Sequence, residues 1–177
     1  MNNTNCIIAI VAIALSSCSD KKETTDNIST PSKNNGIASV IVNTEPKDAQ
    51  AIYKTRKTAA VGDVITVHGK VMGRIDPFVP GRAIMVLGDP QTITSCDLIP
   101  DDVCETPWDV CCDDPDTIKD STLTIQVVDT DGNLIKSGFK GVANIKELSQ
   151  LVVKGVVAEG SNKDNLLLNA TAVFVKP

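Results

Sequence analysis

Alternating apolar and polar residues predict β-strands through the second half of the chain. Residues 61–73 form the longest such run, with Ile65, Val67, Gly69 and Val71 on one face and polar or mixed residues on the other. A period of two residues is the signature of a strand with one buried face. Similar patterns predict four further strands, at residues 82–87, 122–128, 151–157 and 166–175. Turn residues such as Pro80-Gly81 and the hairpin signal Asp131-Gly132 lie between them.

Two segments of other character accompany these strands. Residues 37–42 favour a short strand or an ordered lead-in. Thr44-Glu45-Pro46 predicts a helix start, because a hydroxyl, an acid and a proline are typical of a first turn. Lys54, Arg56 and Lys57 near its end suit the helix dipole. Residues 145–148 predict one further helical turn.

Together these features resemble the OB-fold, a five-stranded Greek-key barrel. The resemblance lies in the leading helix and in strand one, which reads Gly62-Asp63-x-Ile65-x-Val67-x-Gly69-x-Val71. It continues with the helical turn between strands three and four, and with residues 152–157 and 166–170 as the closing pair of strands. It covers residues 58–177, and this part of the chain looks most like small bacterial envelope lipoproteins of OB type that have no assigned activity. The expected fold is therefore an all-β barrel with a leading helix, and the alternative is a small β-sandwich. A cysteine-rich acidic insert, residues 95–116, separates strands two and three.

The N-terminus predicts export. The apolar run at residues 7–15 is too short to span a bilayer and fits a secretory signal. Leu15-Ser16-Ser17-Cys18 resembles the bacterial lipobox, which implies a signal peptide over residues 1–17 and a lipidated Cys18. The first six residues depart from that pattern because they include no Lys or Arg. Residues 18–36 are polar and favour a flexible tether. In the lipoproteins that this segment resembles, Asp beside the lipidated Cys signals retention in the inner membrane. Ser19 stands at that position here, so the resemblance implies the outer membrane, facing the periplasm.

The composition and the charge distribution indicate which classes of binding partner to expect. Hydrophobic residues make up 42% of the chain but aromatics only 3%, so the core must be largely aliphatic. The net charge is −5, yet residues 96–116 contain eight acids and no Lys or Arg, and the remainder has a small positive excess. No dense basic cluster is present, which argues against nucleic-acid binding. The expected partners are the membrane, through the anchor, and an envelope protein.

Four of the six cysteines lie in the insert, at Cys96, Cys104, Cys111 and Cys112. In an exported protein an even set favours two disulfides. Neighbouring cysteines do not readily bridge each other, which leaves Cys96–Cys111 with Cys104–Cys112, or Cys96–Cys112 with Cys104–Cys111. The alternative is a copper or zinc site, or a thiol-redox centre, built from the same four residues.

The remaining signals for chemistry are weak. His68 with Met72 and Met85 offers a minor copper alternative. The acids of the insert, and Asp129-Thr130-Asp131-Gly132-Asn133, offer a calcium alternative, although a solvated loop and a hairpin turn are favoured. No nucleophile, phosphate-loop or metalloprotease motif is present, so no catalytic residue and no cofactor are predicted. Trp108 and the insert acids Asp101, Asp102 and Asp109 are the predicted partner contacts, with packing over the cysteines as the alternative for Trp108.

Overall fold

The computed structural model describes residues 36–101 and 103–177. The predicted signal peptide, Cys18 and nearly all of the tether lie outside the described residues, as does Asp102. Within the described part of the chain, no helix combines the length and the apolar character needed to cross a bilayer.

Six strands form one mixed sheet. A short strand, β1, at Gln50–Ala51 precedes β2 at Val64–Lys70 and β3 at Ile84–Gly88. They are followed by β4 at Thr122–Gln126, β5 at Gln150–Val157 and β6 at Leu167–Val175. The sheet order is β1-β2-β3-β4-β6-β5, and a further pairing of β2 with β5 closes the last five strands into a barrel.

The strand pairings give the barrel its OB-like topology. β2 and β5 are antiparallel from Val64↔Val156 to Lys70↔Gln150, whereas β4 and β6 are parallel over Thr124↔Leu167 to Gln126↔Asn169. Antiparallel pairs β3–β4 and β5–β6 complete the ring, and β2 meets β3 at Lys70↔Gly88. The predicted all-β barrel is confirmed. The alternative of a β-sandwich is wrong, because one continuous sheet closes on itself.

Aliphatic side chains fill the barrel, as the scarcity of aromatic residues requires. Alternating residues of each strand point inward, including Val67 on β2, Ile125 on β4 and Val153 on β5, and all three are fully buried. Phe139, from the connection between β4 and β5, is also fully buried in this core. The predicted inward face of strand one is borne out at Val67, Gly69 and Val71.

The predicted helices are displaced. The leading helix, α1, spans Ile52–Arg56 rather than starting at Thr44, because Asp48 adopts a positive φ of 61° and β1 pairs in parallel with β2. The helical turn predicted at residues 145–148 is displaced as well. A short 3₁₀ segment lies at Val142–Asn144, where Ala143 and Asn144 have positive φ. The lead-in contains a 3₁₀ helix at Ile37–Val40, and its next residue forms a parallel bridge, Ile41↔Val173.

Candidate functional site

The cysteine-rich insert is the connection between β3 and β4, and it packs against the outside of the barrel. It contains a 3₁₀ helix at Cys96–Leu98 and an unpredicted helix, α2, at Pro115–Asp120, whose N-cap Asp114 accepts hydrogen bonds from the N–H groups of Asp116 and Thr117. A second, small core joins the insert to the segment just after β2 and is separate from the barrel core. It consists of buried Met72, Ile93 and Val110, with Trp108 and Ile118 packed against them.

A buried lysine attaches the insert to the barrel. Lys70, the last residue of β2, is only 8% exposed. Its Nζ donates to Ser95 Oγ at 2.7 Å and to Asp97 Oδ1 at 3.1 Å, and the Ser95 hydroxyl also donates to Asp97. A buried ammonium needs such partners because its desolvation is otherwise costly. The Lys70–Ser95–Asp97 network therefore fixes the segment that leads into Cys96.

Three of the four cysteine sulfurs converge. Cys96, Cys104 and Cys111 have sulfur atoms that all lie within 4.8 Å of one another. The Sγ atoms of Cys96 and Cys111 are 3.8 Å apart, and Cys104 Sγ lies 3.3 Å from Thr106 Oγ1. Cys96 is buried, Cys104 is half-buried and Cys111 is exposed, so the sulfur cluster runs from the interior of the insert to its surface.

The backbone holds two segments of the insert side by side at this cluster. The N–H of Cys96 donates to Asp109 O at 2.9 Å, and the N–H of Asp97 donates to Pro107 O at 2.8 Å. The N–H of Thr94 donates to Oδ2 of Asp113, two residues after Cys111, at 2.7 Å. The chain near Cys96 is thus tied to the chain that leads into Cys111.

The predicted disulfide pairs are not what this arrangement shows. A disulfide needs sulfurs about 2.04 Å apart, and among the described cysteines the structure places no pair at bonding distance; Cys96 and Cys111 remain 3.8 Å apart. Neither predicted pairing describes the geometry, because Cys104 joins Cys96 and Cys111 in one group of three. Cys112 is exposed and lies outside that group.

The electrostatic surroundings act on the Cys111 thiol. A hydrogen bond with the Cys96 thiol lowers the pKa of Cys111, but the Cys112 thiol, desolvation and the charges of neighbouring thiols raise it, and the net direction is upward. Reactive redox cysteines have the opposite character, with a pKa lowered by nearby positive charge.

The residues predicted to contact a partner differ in their burial. Asp101 is exposed, but Asp109 is buried at 9% exposure, and its Oδ1 accepts from the N–H of Val110 at 2.8 Å. Trp108 is half-buried on the insert core, and its indole N–H donates to Ile75 O at 2.7 Å. Asp109 and Trp108 thus make contacts within the protein, which suits the packing alternative for Trp108 better than an exposed anchor.

The structure does not bring together the residues of the other predicted metal sites. Met72 lies in the insert core and Met85 in the barrel core, so the copper set of His68, Met72 and Met85 is wrong. In residues 36–101 and 103–177, the cysteine cluster is the only group of three or more His, Cys, Asp or Glu residues with ligand atoms close enough to hold an ion. Asp129 instead caps a hairpin turn, since its Oδ1 accepts from the N–H groups of Asp131 and Asn133.

The basic residues of α1 are also engaged within the protein. The Arg56 guanidinium donates to Thr122 O at 2.9 Å and to Lys163 O at 2.7 Å, and burial lowers its pKa. Lys57 Nζ lies 3.8 Å from the centre of the Tyr53 ring. These residues line a cleft of about 400 Å³, but the donors of Arg56 are directed at main-chain carbonyls.

Sequence reasoning missed the residues that support the cluster. Lys70 and Ser95 carry no motif, and Ile93 and Val110 look like isolated apolar residues in an acidic loop. One signal was available, because Asp114-Pro115 is a helix start by the same rule that suggested one at Thr44. No family model, curated protein or solved structure matches this chain.

Proposed function

We propose that this protein is a lipid-anchored, non-catalytic lipoprotein of the bacterial cell envelope, in which an OB-like barrel supports a cysteine-rich binding insert. The anchor would be Cys18, and the outer membrane, facing the periplasm, is the proposed location. The site would act by binding, as an accessory module, and its partner would be an envelope component rather than a nucleic acid.

One observation carries the binding role: the insert is a built structure and not a loose loop. Its Ile93 and Val110 pack with Met72 in a small core, and Lys70 fixes it to β2. A long connection that is ordered in this way is usually functional. It also contains the exposed Cys111 and Cys112 and exposed acids such as Asp101.

The pair of Ser95 and Lys70 resembles a catalytic pair, but its burial supports a structural role. Ser95 and Lys70 are in hydrogen-bond contact, and a serine with a lysine base is a known nucleophilic pair. Here Ser95 is 1% exposed, so a substrate cannot reach its hydroxyl. The Lys70 ammonium is also engaged in an ion pair with Asp97 Oδ1 at 3.1 Å, so its contacts lie within the protein.

The anchor is tested by Cys18→Ser, with Cys6→Ser as the matched control in the predicted signal peptide. We expect Cys18→Ser to abolish lipid labelling and to leave the protein soluble or as an uncleaved precursor, whereas Cys6→Ser should fractionate as the wild type does. Mature, lipid-labelled Cys18→Ser protein in the membrane fraction would contradict the proposal.

A further inference from the structure

We infer that Cys96, Cys104 and Cys111 form a three-thiolate site for a single thiophilic cation, Zn²⁺ or Cu⁺, and that Cys112 is not one of its ligands. This inference rests on the proposed binding role of the insert and is independent of the lipid anchor. Each coordinating thiol gives up its proton to solvent as the ion binds, and no electron is transferred.

The sulfur separations fit direct coordination of one ion. Four sulfurs placed tetrahedrally at about 2.3 Å from zinc lie about 3.8 Å from one another, and Cys96 Sγ and Cys111 Sγ are 3.8 Å apart. The three sulfurs stay within 4.8 Å of one another, so Cys104 needs to move by less than about 1 Å to complete the group. Three sulfurs on a common centre also suit Cu⁺, which prefers soft ligands.

The backbone holds the ligands before any ion arrives. Cys96 sits at the start of a 3₁₀ helix, and its N–H is bound to Asp109 O. The N–H of Asp109 in turn donates to Thr106 O at 2.8 Å, in the turn that carries Cys104 toward Cys111. Ligands that are held in place by a rigid scaffold lose less entropy on binding than ligands on a loose loop.

The charge around the cluster favours a cation. The segment from Cys96 to Asp116 has eight acids and no Lys or Arg, and Lys70, which reaches it from β2, is already paired with Asp97. A negative surface of this kind raises the local concentration of cations. It disfavours an anionic ligand at the same place.

The position of Cys112 separates this inference from the disulfide reading. Cys112 follows Cys111 directly, yet it is exposed and its sulfur does not belong to the group of three. A pair of disulfides would need all four cysteines, whereas the three-thiolate site needs only three. Serine at residue 112 is therefore the matched control for serine at residues 104 and 111.

The test uses the full-length protein, extracted in detergent, reduced and desalted without oxygen. Zn²⁺ is supplied in one arm and Cu⁺, from a chelator of known affinity, in the other, and bound metal per chain is measured by mass spectrometry. We expect one equivalent of at least one of the two ions in the wild type and in Cys112→Ser. Cys104→Ser and Cys111→Ser should each weaken binding about 100-fold or more, since loss of a supporting residue alone costs 10- to 100-fold.

Three results would overturn the inference: stoichiometric binding of neither ion, two or more ions per chain, or equal loss in Cys112→Ser and Cys104→Ser. Hydrogen exchange of the same samples over residues 95–112 shows which proposal has failed. An ordered insert that binds no ion contradicts only the metal site. An insert that exchanges freely in every sample contradicts the proposed binding role as well.

Discussion

Gly155 shows how one residue without a side chain allows the barrel to close. It lies in β5 at a register shift between Lys154 and Gly155, opposite Ala170 on β6. A Cβ at this position would overlap the carbonyl oxygen of Asn169 and come within 2.8 Å of Leu168 Cγ. Glycine inside a strand often marks such a close approach of two backbones.

We expect Gly155→Ala to lower the free energy of unfolding by about 3 kcal/mol, at the upper end of the usual cost of overpacking, because the obstacle is backbone. Gly69→Ala should cost less, about 1 kcal/mol, since the nearest obstacle is the flexible side chain of Ile52 at 2.7 Å. Gly36→Ala is the control, because nothing lies within 4 Å of its Cβ position. Denaturant unfolding gives the three values, and equal stabilities would contradict the packing described here.

At the scale of elements, the attachment of the insert depends on the outer face of β2. Residues Ile65, Val67 and Gly69 face the barrel interior, while Lys70 and its neighbour Met72 are buried on the other side by the insert. Both faces of this strand end are therefore covered. The insert depends on this strand for its orientation.

Lys70→Met tests that dependence, because it keeps the length of the side chain and removes the ammonium. We expect the stability of the insert against local opening to fall by about 1–2 kcal/mol, since Ser95 and Asp97 lose a charged partner and Asp97 is partly solvated. Amide exchange should accelerate over residues 95–112 and stay unchanged in β5 and β6. Lys154→Met, on the exposed face of β5, is the control, and the same pattern in both variants would argue against an anchoring role for Lys70.

The strands were predictable because successive side chains alternate between the barrel interior and the outer face. This alternation involves neighbouring residues only, so it is visible in the sequence. Displacement of the leading helix was not predictable, because the N–H of Tyr53 in its first turn donates to Asp89 Oδ2, 36 residues further along the chain. The meeting of Cys96, Cys104 and Cys111 has the same character. Their spacing identified the cysteines as a set but left the pairing open, because the group depends on the backbone hydrogen bonds of Cys96 and Asp97 with residues 107–109.

At the scale of the whole molecule, the described part of the chain has two hydrophobic cores of very different size. The large core fills the barrel, and the small core of Met72, Ile93 and Val110 supports the insert. Cooperative units in proteins often follow such divisions, and a unit with few buried apolar contacts opens at lower free energy. The insert is expected to open while the barrel remains folded.

A matched pair of valines tests this independence. Val110 in the small core is 1% exposed and Val153 in the barrel core is 0% exposed, so Val→Ala removes the same buried atoms from each. We expect Val153→Ala to lower the global free energy of unfolding by about 2 kcal/mol through lost burial and the cavity left behind. Val110→Ala should lower it by well under half as much, because the insert already opens before the barrel unfolds. Its effect should appear instead as faster hydrogen exchange at residues 95–112, with the β signal in circular dichroism unchanged. Equal losses of global stability would show that barrel and insert unfold as one unit, and the cysteine cluster would then be part of the barrel's own stability.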